Sequence, residues 1–292
     1  MACAGKTVEQ WKRPAESTGD GRKQWAFHGP PKQKVPKIPR CRDLLAGPAA
    51  IARPSNEVLV KFKPCTMIAA INVETHILVS GNTKSWRSGR FGLLTTVADE
   101  DIESLRIVRI GWATGARDDR PQVQDVLVKP DGFCISAEAA KNHKVQHDYA
   151  AAHGHTLSKV LTEMMEDVLS CCARGGILVA HHLAFDAGVI ACELDRSGLV
   201  HLINPWCKAV QSGLCTMDPD IACWVRGMIG MREIPRSIPM RLLDMVKATV
   251  ADSETLCGDY HSVGNVARMH FLLCNALYAR CDAYAGKHME GV

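Results

Sequence analysis

Three apolar runs of strand length precede the first helical stripe in this chain, and that order constrains the fold more than any other feature. Thr66–Ile71 is a short apolar run that ends at Asn72, Ile107–Trp112 is a second, and Val123–Val128 is a third, closed by Pro130-Asp131-Gly132. The period then changes. Leu157, Val160, Leu161, Met164, Val168 and Leu169 fall on one face of a helix expected over Thr156–Cys172, and Gly175-Gly176 breaks it. Ile177–Ala180 reads as a buried strand. A helix is expected from about Phe185 to Arg196, with Ala187, Ile190, Ala191 and Leu194 on one side and Gly198 as its C-cap. Residues 204–260 read as several helices interrupted by Pro219, Pro235 and Pro239. The last element runs from Ser262 to about Cys281, with Val263, Ala267, His270, Cys274 and Leu277 in phase. Strands first and helix–strand alternation afterwards indicate one α/β domain over 56–285, followed by a tail at 286–292, and exclude a bundle or a sandwich.

Charge separates this domain from what precedes it. Residues 1–43 hold ten Lys or Arg against four Asp or Glu, so the leader carries +6 of a formal net charge of +4, and the rest carries −2. Residues 1–55 are rich in Lys, Arg, Pro and Gly and read as a flexible basic arm. An organelle-targeting leader, a contact to nucleic acid or protein, and a solubilising tail remain open for it, with Glu9, Glu16 and Asp20 weighing against targeting. Because the folded part is near neutral, net charge alone does not argue for nucleic acid. The chain has 13 cysteines, no CxxC pair and no secretory apolar stretch before them. Most read as small buried hydrophobes in a reducing intracellular compartment, cytoplasm, nucleus or organelle, and not as a zinc site. No run of eighteen apolar residues suggests a membrane span.

Three short segments carry the candidate chemistry: Ile71-Asn-Val-Glu-Thr-His76, Ala180-His-His-Leu-Ala-Phe-Asp186 and His261-Ser-Val-Gly-Asn-Val266. In this order they resemble the motifs of the DEDDh branch of the 3′–5′ exonucleases. That family has an Asp-x-Glu at the end of the first strand, an Asp after a later strand, and a His followed five residues on by Asp at a helix start. Ile135–Val145 resembles the family's segment after the third strand. The resemblance covers residues 66–282 and implies a ribonuclease-H-like mixed sheet flanked by helices. It also implies removal of nucleotides from a 3′ end with two Mg²⁺ or Mn²⁺ ions. The chemical need is plain: an anionic phosphodiester resists hydroxide, and paired dications about 4 Å apart supply the nucleophile and stabilise the leaving oxygen. Hard dications take carboxylate oxygens, and a histidine titrating near neutrality serves as base. On this resemblance Glu74, Asp186 and His261 are the catalytic residues, and Glu74 and Asp186 the metal ligands.

The sequence departs from that pattern at two positions. Asn72 keeps the shape of Asp without its charge, and Val266 offers a cation nothing. Two carboxylates stand where four are expected. Taken singly, Glu74 also fits a surface strand end, Asp186 a helix N-terminus, and His261 a core or capping histidine. His181 reads as structural or substrate-facing, and Met164-Met165 as core filling. Strand contacts are expected from His76, His182 and Phe185. Trp86, Arg87 and Arg90, in a polar loop around Gly81–Gly92, are expected to add stacking and charge, with a solvated loop as the alternative. Three functions remain open: a non-hydrolysing member that binds nucleic acid or a protein partner, an active metal-dependent exonuclease on a 3′ end, and a structural subunit or homo-oligomer. In the last case the arm and the Cys- and Trp-bearing stretch 204–228 would contact neighbours.

Overall fold

A computed structural model describes residues 54–78, 87–88, 94–95, 99–251, 253–257 and 260–289, all of which fall in one compact unit, Pro39–Val292. In chain order the elements are α1 (Asn56–Leu59), β1 (Met67–Thr75), β2 (Arg87–Ser88), β3 (Leu94–Thr95), α2 (Asp99–Ser104), β4 (Ile107–Ala116) and β5 (Gln122–Leu127). Then come α3 (Ala137–His143), α4 (His147–His153), α5 (Leu157–Ala173), β6 (Gly176–Ala180), α6 (Leu183–Arg196), α7 (Ile203–Gln211) and β7 (Leu214–Cys215). The chain closes with α8 (Pro219–Met228), α9 (Leu242–Thr249), α10 (Ser253–Cys257) and α11 (Val263–Met289). The main part of the expected arm, residues 1–53, lies outside the described residues, as do Trp86 and Arg90. Of Arg87 only the backbone is described.

The sheet has the order β5-β4-β1-β6-β7, with β5, β4 and β1 antiparallel and β1, β6 and β7 parallel. It is thus a mixed α/β sheet. Alternation along β1 sends Ile68 and Ala70 to one face, and Ala69, Ile71 and Val73 to the other. The first face is covered by α8, α9 and α11, and the second by α5, α6 and α7. Val160, Leu161, Met164 and Val168 of the α5 stripe are buried, as is Met165, while Leu157 and Leu169 at its margins are half-buried. Trp112 on β4 fixes α5 to the sheet by donating its indole N–H to Asp167 at 2.7 Å. α6 ends at Arg196, and Gly198 follows with φ +71°, a left-handed conformation that ends a helix at little cost in glycine.

Several boundaries differ from the sequence reading for physical reasons. β1 runs three residues past Asn72, because antiparallel pairing with β4 carries the backbone on through Glu74 opposite Arg109. α11 continues to Met289, since no Gly or Pro interrupts it between Asn265 and Ala285. Pro219 opens α8 at its first turn, where its absent N–H costs no hydrogen bond. Trp206 and Trp224 are buried within the chain's own cores, so the stretch 204–228 does not present its tryptophans to a neighbour. Of the described cysteines, all free, Cys171, Cys192, Cys274 and Cys281 are buried. Most of the others are half-buried, and Cys134 and Cys223 are exposed, a wetter set than expected. Among the described residues no helix is long and apolar enough to cross a membrane.

Candidate functional site

β1 and β6 run parallel as far as Ala70 beside Val179, and the C-terminal half of β1 continues beyond that pairing. There its free edge meets the first turn of α6, which carries Asp186. Asp186 is only 5% exposed, and a backbone hydrogen bond from Val73 reaches its carboxylate. Glu74, one residue further along β1, is close enough that its charge acts on Asp186. Sequence segments more than a hundred residues apart thus converge, and the two carboxylates share one half-enclosed place.

Burial governs their titration. It pushes Glu74 up to about 7, with the Arg109 guanidinium pulling the other way. Asp186 is held well above the ordinary carboxyl range, first by burial and then by the charge on Glu74, against the Val73 hydrogen bond. A helix dipole alone would lower an N-terminal aspartate, so the dipole does not account for Asp186. Glu74 is half-buried, which does not fit a surface strand end.

Three histidines, two just before α6 and one on α11, are kept neutral by burial. His181 is pushed down to about 3, and His182 and His270 to about 4. His181 Nδ1 lies 2.9 Å from the Thr216 hydroxyl, and its ring stacks toward His270, whose Nδ1 donates to the Ile71 carbonyl at 2.9 Å. His182 stacks on Phe185 with centroids 5.5 Å apart and planes 11° from parallel, both half-exposed at the start of α6. His76 turns elsewhere. A register shift between Glu74 and Thr75 precedes it, its Nδ1 accepts the Arg106 N–H at 3.2 Å, and its ring meets Phe133 edge-on.

The first turn of α11 closes the site from above. Asn72, Gly111 and Asp125 form one row across β1, β4 and β5, with Glu74 and Arg109 paired two residues along on the same face. Arg109 grips Asp125 through two hydrogen bonds of 2.6 and 2.9 Å, and a third goes to the His261 carbonyl at 3.3 Å. Asp125 in turn accepts from the Ser262 hydroxyl at 2.6 Å and the Gly264 N–H at 3.1 Å. It acts as an external cap on the positive end of α11. This clamp holds His261, whose side chain is exposed, at the turn entering α11. The neighbouring Tyr260, 43% exposed, lies within reach of Glu74, whose charge helps burial to raise the phenol. Arg109, Asp125 and Tyr260 were not anticipated. Only the strand register reveals the first two, and nothing in the sequence marks the third.

The fit to a metal pair fails on the residues present. Val266 is 6% exposed and packs in the core beneath α11, so no oxygen enters from that position. Asn72, on the same strand face as Glu74, brings a neutral amide. Among the described residues no group of three or more His, Cys, Asp or Glu side chains is placed to hold a metal ion.

The raised carboxyls and lowered histidines predict a stability optimum. The folded pKa of Glu74, about 7, exceeds its ordinary 4.5, so its contribution is complete below 4.5 and is lost as pH rises through 7. His181, His182 and His270 act oppositely: their contribution is present above 6.5 and lost as pH falls toward 4. Stability is therefore expected to peak between pH 6 and 7. Between pH 6 and 8 the loss is on the order of 1 kcal/mol from Glu74 alone. Urea unfolding across that range should show the alkaline decline in the native chain and a flatter one in Glu74→Gln; equal slopes would contradict the assignment.

No protein-family model matches the chain, and no curated protein matches it in sequence. Solved structures do match. One is a structure of exonuclease I concerned with how its processivity is achieved, with TM-score 0.52, 13% identity, 76% of this chain and 44% of that one. A second is the zinc-bound form of E. coli exonuclease I in complex with single-stranded DNA, with TM-score 0.51, 12% identity, 76% of this chain and 42% of that one. A third is exonuclease I from Methylocaldum szegediense, with TM-score 0.50, 14% identity, 74% of this chain and 41% of that one. The chain thus has a ribonuclease-H-like α/β fold of the exonuclease I kind, and it spans less than half the length of those proteins.

Proposed function

We propose that this exonuclease-fold chain binds a single nucleic-acid strand without hydrolysing it at an appreciable rate. The observation that carries the reading is Val266, an apolar side chain packed 6% exposed at the position where the resembled motif places its last aspartate. With Asn72 also uncharged, Glu74 and Asp186 are left as the carboxylates of the centre, and two dications would meet too little negative charge to offset their mutual repulsion. Binding needs less. The stacked His182–Phe185 pair beside Asp186 offers a base a half-exposed aromatic face. One of the similar structures carries single-stranded DNA, which supports a strand as the ligand class.

The test is titration of labelled single-stranded DNA and RNA with the full chain in Mn²⁺, followed by separation of the products by length. A saturable shift with the 3′ end intact is expected, weakened about tenfold by Phe185→Ala through loss of one stacked base. Progressive shortening abolished by Glu74→Gln would establish an active nuclease instead. Absence of any strand affinity would leave a protein partner as the ligand.

A further inference from the structure

A second site lies away from the carboxylate pair. A cavity of about 500 Å³ opens between the start of β4, the segment after β5, the first turn of α5 and the end of α6. Its cationic side chains are Arg106, Lys129 and Arg196, against one carboxylate, Asp131. The two arginines are held in place before any ligand arrives. Arg106 Nε donates to Glu193 Oε1 at 3.1 Å, and its guanidinium lies over the Phe133 ring at 4.7 Å. Arg196 Nη1 donates to the Leu105 carbonyl at 2.9 Å and lies 3.1 Å from Glu193 Oε2, while Nη2 donates to the Glu103 carbonyl. Glu193 is fully buried, so a single carboxylate serves both guanidiniums and leaves one positive charge uncompensated.

Two further features suit an anion carried on an apolar group. Thr156 and Ser158 line the cavity at the start of α5, a helix of 17 residues with no acidic residue in its first turn and no side-chain cap from Thr156. Its positive end is thus unmatched by the protein. The apolar part of the wall is built from Val128, Pro130, Phe133 and Leu157, with Phe133 under the Arg106 guanidinium. Inorganic phosphate would leave most of this volume and all of that wall unused, whereas a mononucleotide matches both.

We propose that this cavity binds a nucleoside monophosphate, with the phosphate on Lys129, the arginine pair and the α5 terminus, and the base against the apolar wall. The site is independent of strand binding at Glu74 and Asp186. Calorimetric titration of the full chain with AMP, UMP, adenosine and inorganic phosphate tests it. Both nucleotides are expected to bind, at least about tenfold tighter than phosphate alone, with no detectable adenosine binding. Lys129→Glu and Ser158→Asp should each weaken AMP by about tenfold or more, because each sets a negative charge where the phosphate would sit. Ser158→Asp adds a favourable first-turn acid, so its melting temperature should not fall, which separates lost binding from lost folding. Glu74→Gln should leave AMP binding unchanged. No saturable AMP binding at millimolar concentration, AMP no tighter than phosphate, or full affinity in both charge variants would each overturn the proposal.

Discussion

Changing Asn72 to Asp and Val266 to Asp together is expected to produce 3′-end digestion in Mn²⁺, by at least about 10³-fold over the native chain, with neither single change sufficing. The reason is charge: Glu74 and Asp186 already converge, and the two added carboxylates would bring four anionic groups to one place. The price of Val266→Asp is burial of an ionised group in a packed core, on the order of 3 kcal/mol without metal. Millimolar Mn²⁺ should restore part of that loss in the double variant and little in the native chain, since only a bound ion stabilises the folded state by linkage. Melting with and without Mn²⁺ thus reports assembly of the centre even before activity is assayed. A folded, Mn²⁺-stabilised double variant that still digests nothing would show that the scaffold lacks more than these two ligands.

Gly111→Ala is expected to be the most destabilising single methyl in the sheet, costing about 3 kcal/mol or more. A Cβ there would stand 2.4 Å from the carbonyl carbon and oxygen of Val263 and 2.6 Å from the Gly264 nitrogen. All three are backbone atoms at the start of α11, so no side chain can swing aside. The helix would have to lift from β4, straining the Asp125 cap and the Arg109 hydrogen bond to the His261 carbonyl. Gly115→Ala on the same strand is the control: its Cβ would meet Pro121 Cα at 3.2 Å and the edge of the Phe271 ring at 3.4 Å, and should cost about 1 kcal/mol. Urea denaturation of both variants measures the difference. A Gly111→Ala protein as stable as the native chain would mean that α11 does not press on β4 as described.

The elements legible in the sequence were those whose periodicity is strong. The α5 stripe and the buried run of β6 lie within a residue or two of their expected limits, because each buries one continuous face or both faces. The far end of β1 is not legible in the sequence, because its apolar run stops at Asn72 while its strand conformation depends on a partner that sequence does not identify. The two-residue β7 has no periodicity to detect. Within the site, Glu74 and Asp186 could be named from motif order, but their mutual effect on titration could not, since it comes from distance and burial.

Residue identity alone determined that carboxylates are absent at 72 and 266, and no arrangement of the backbone can supply them. Only the tertiary structure decided that Glu74 meets Asp186, that Arg109 and Asp125 fasten α11 over the sheet, and that Arg106 and Arg196 share one buried glutamate beside an open cavity. Chemical capacity belongs to the side chain and is written in the sequence. Proximity and desolvation belong to pairings between distant segments, and these exist only once the sheet has set its register.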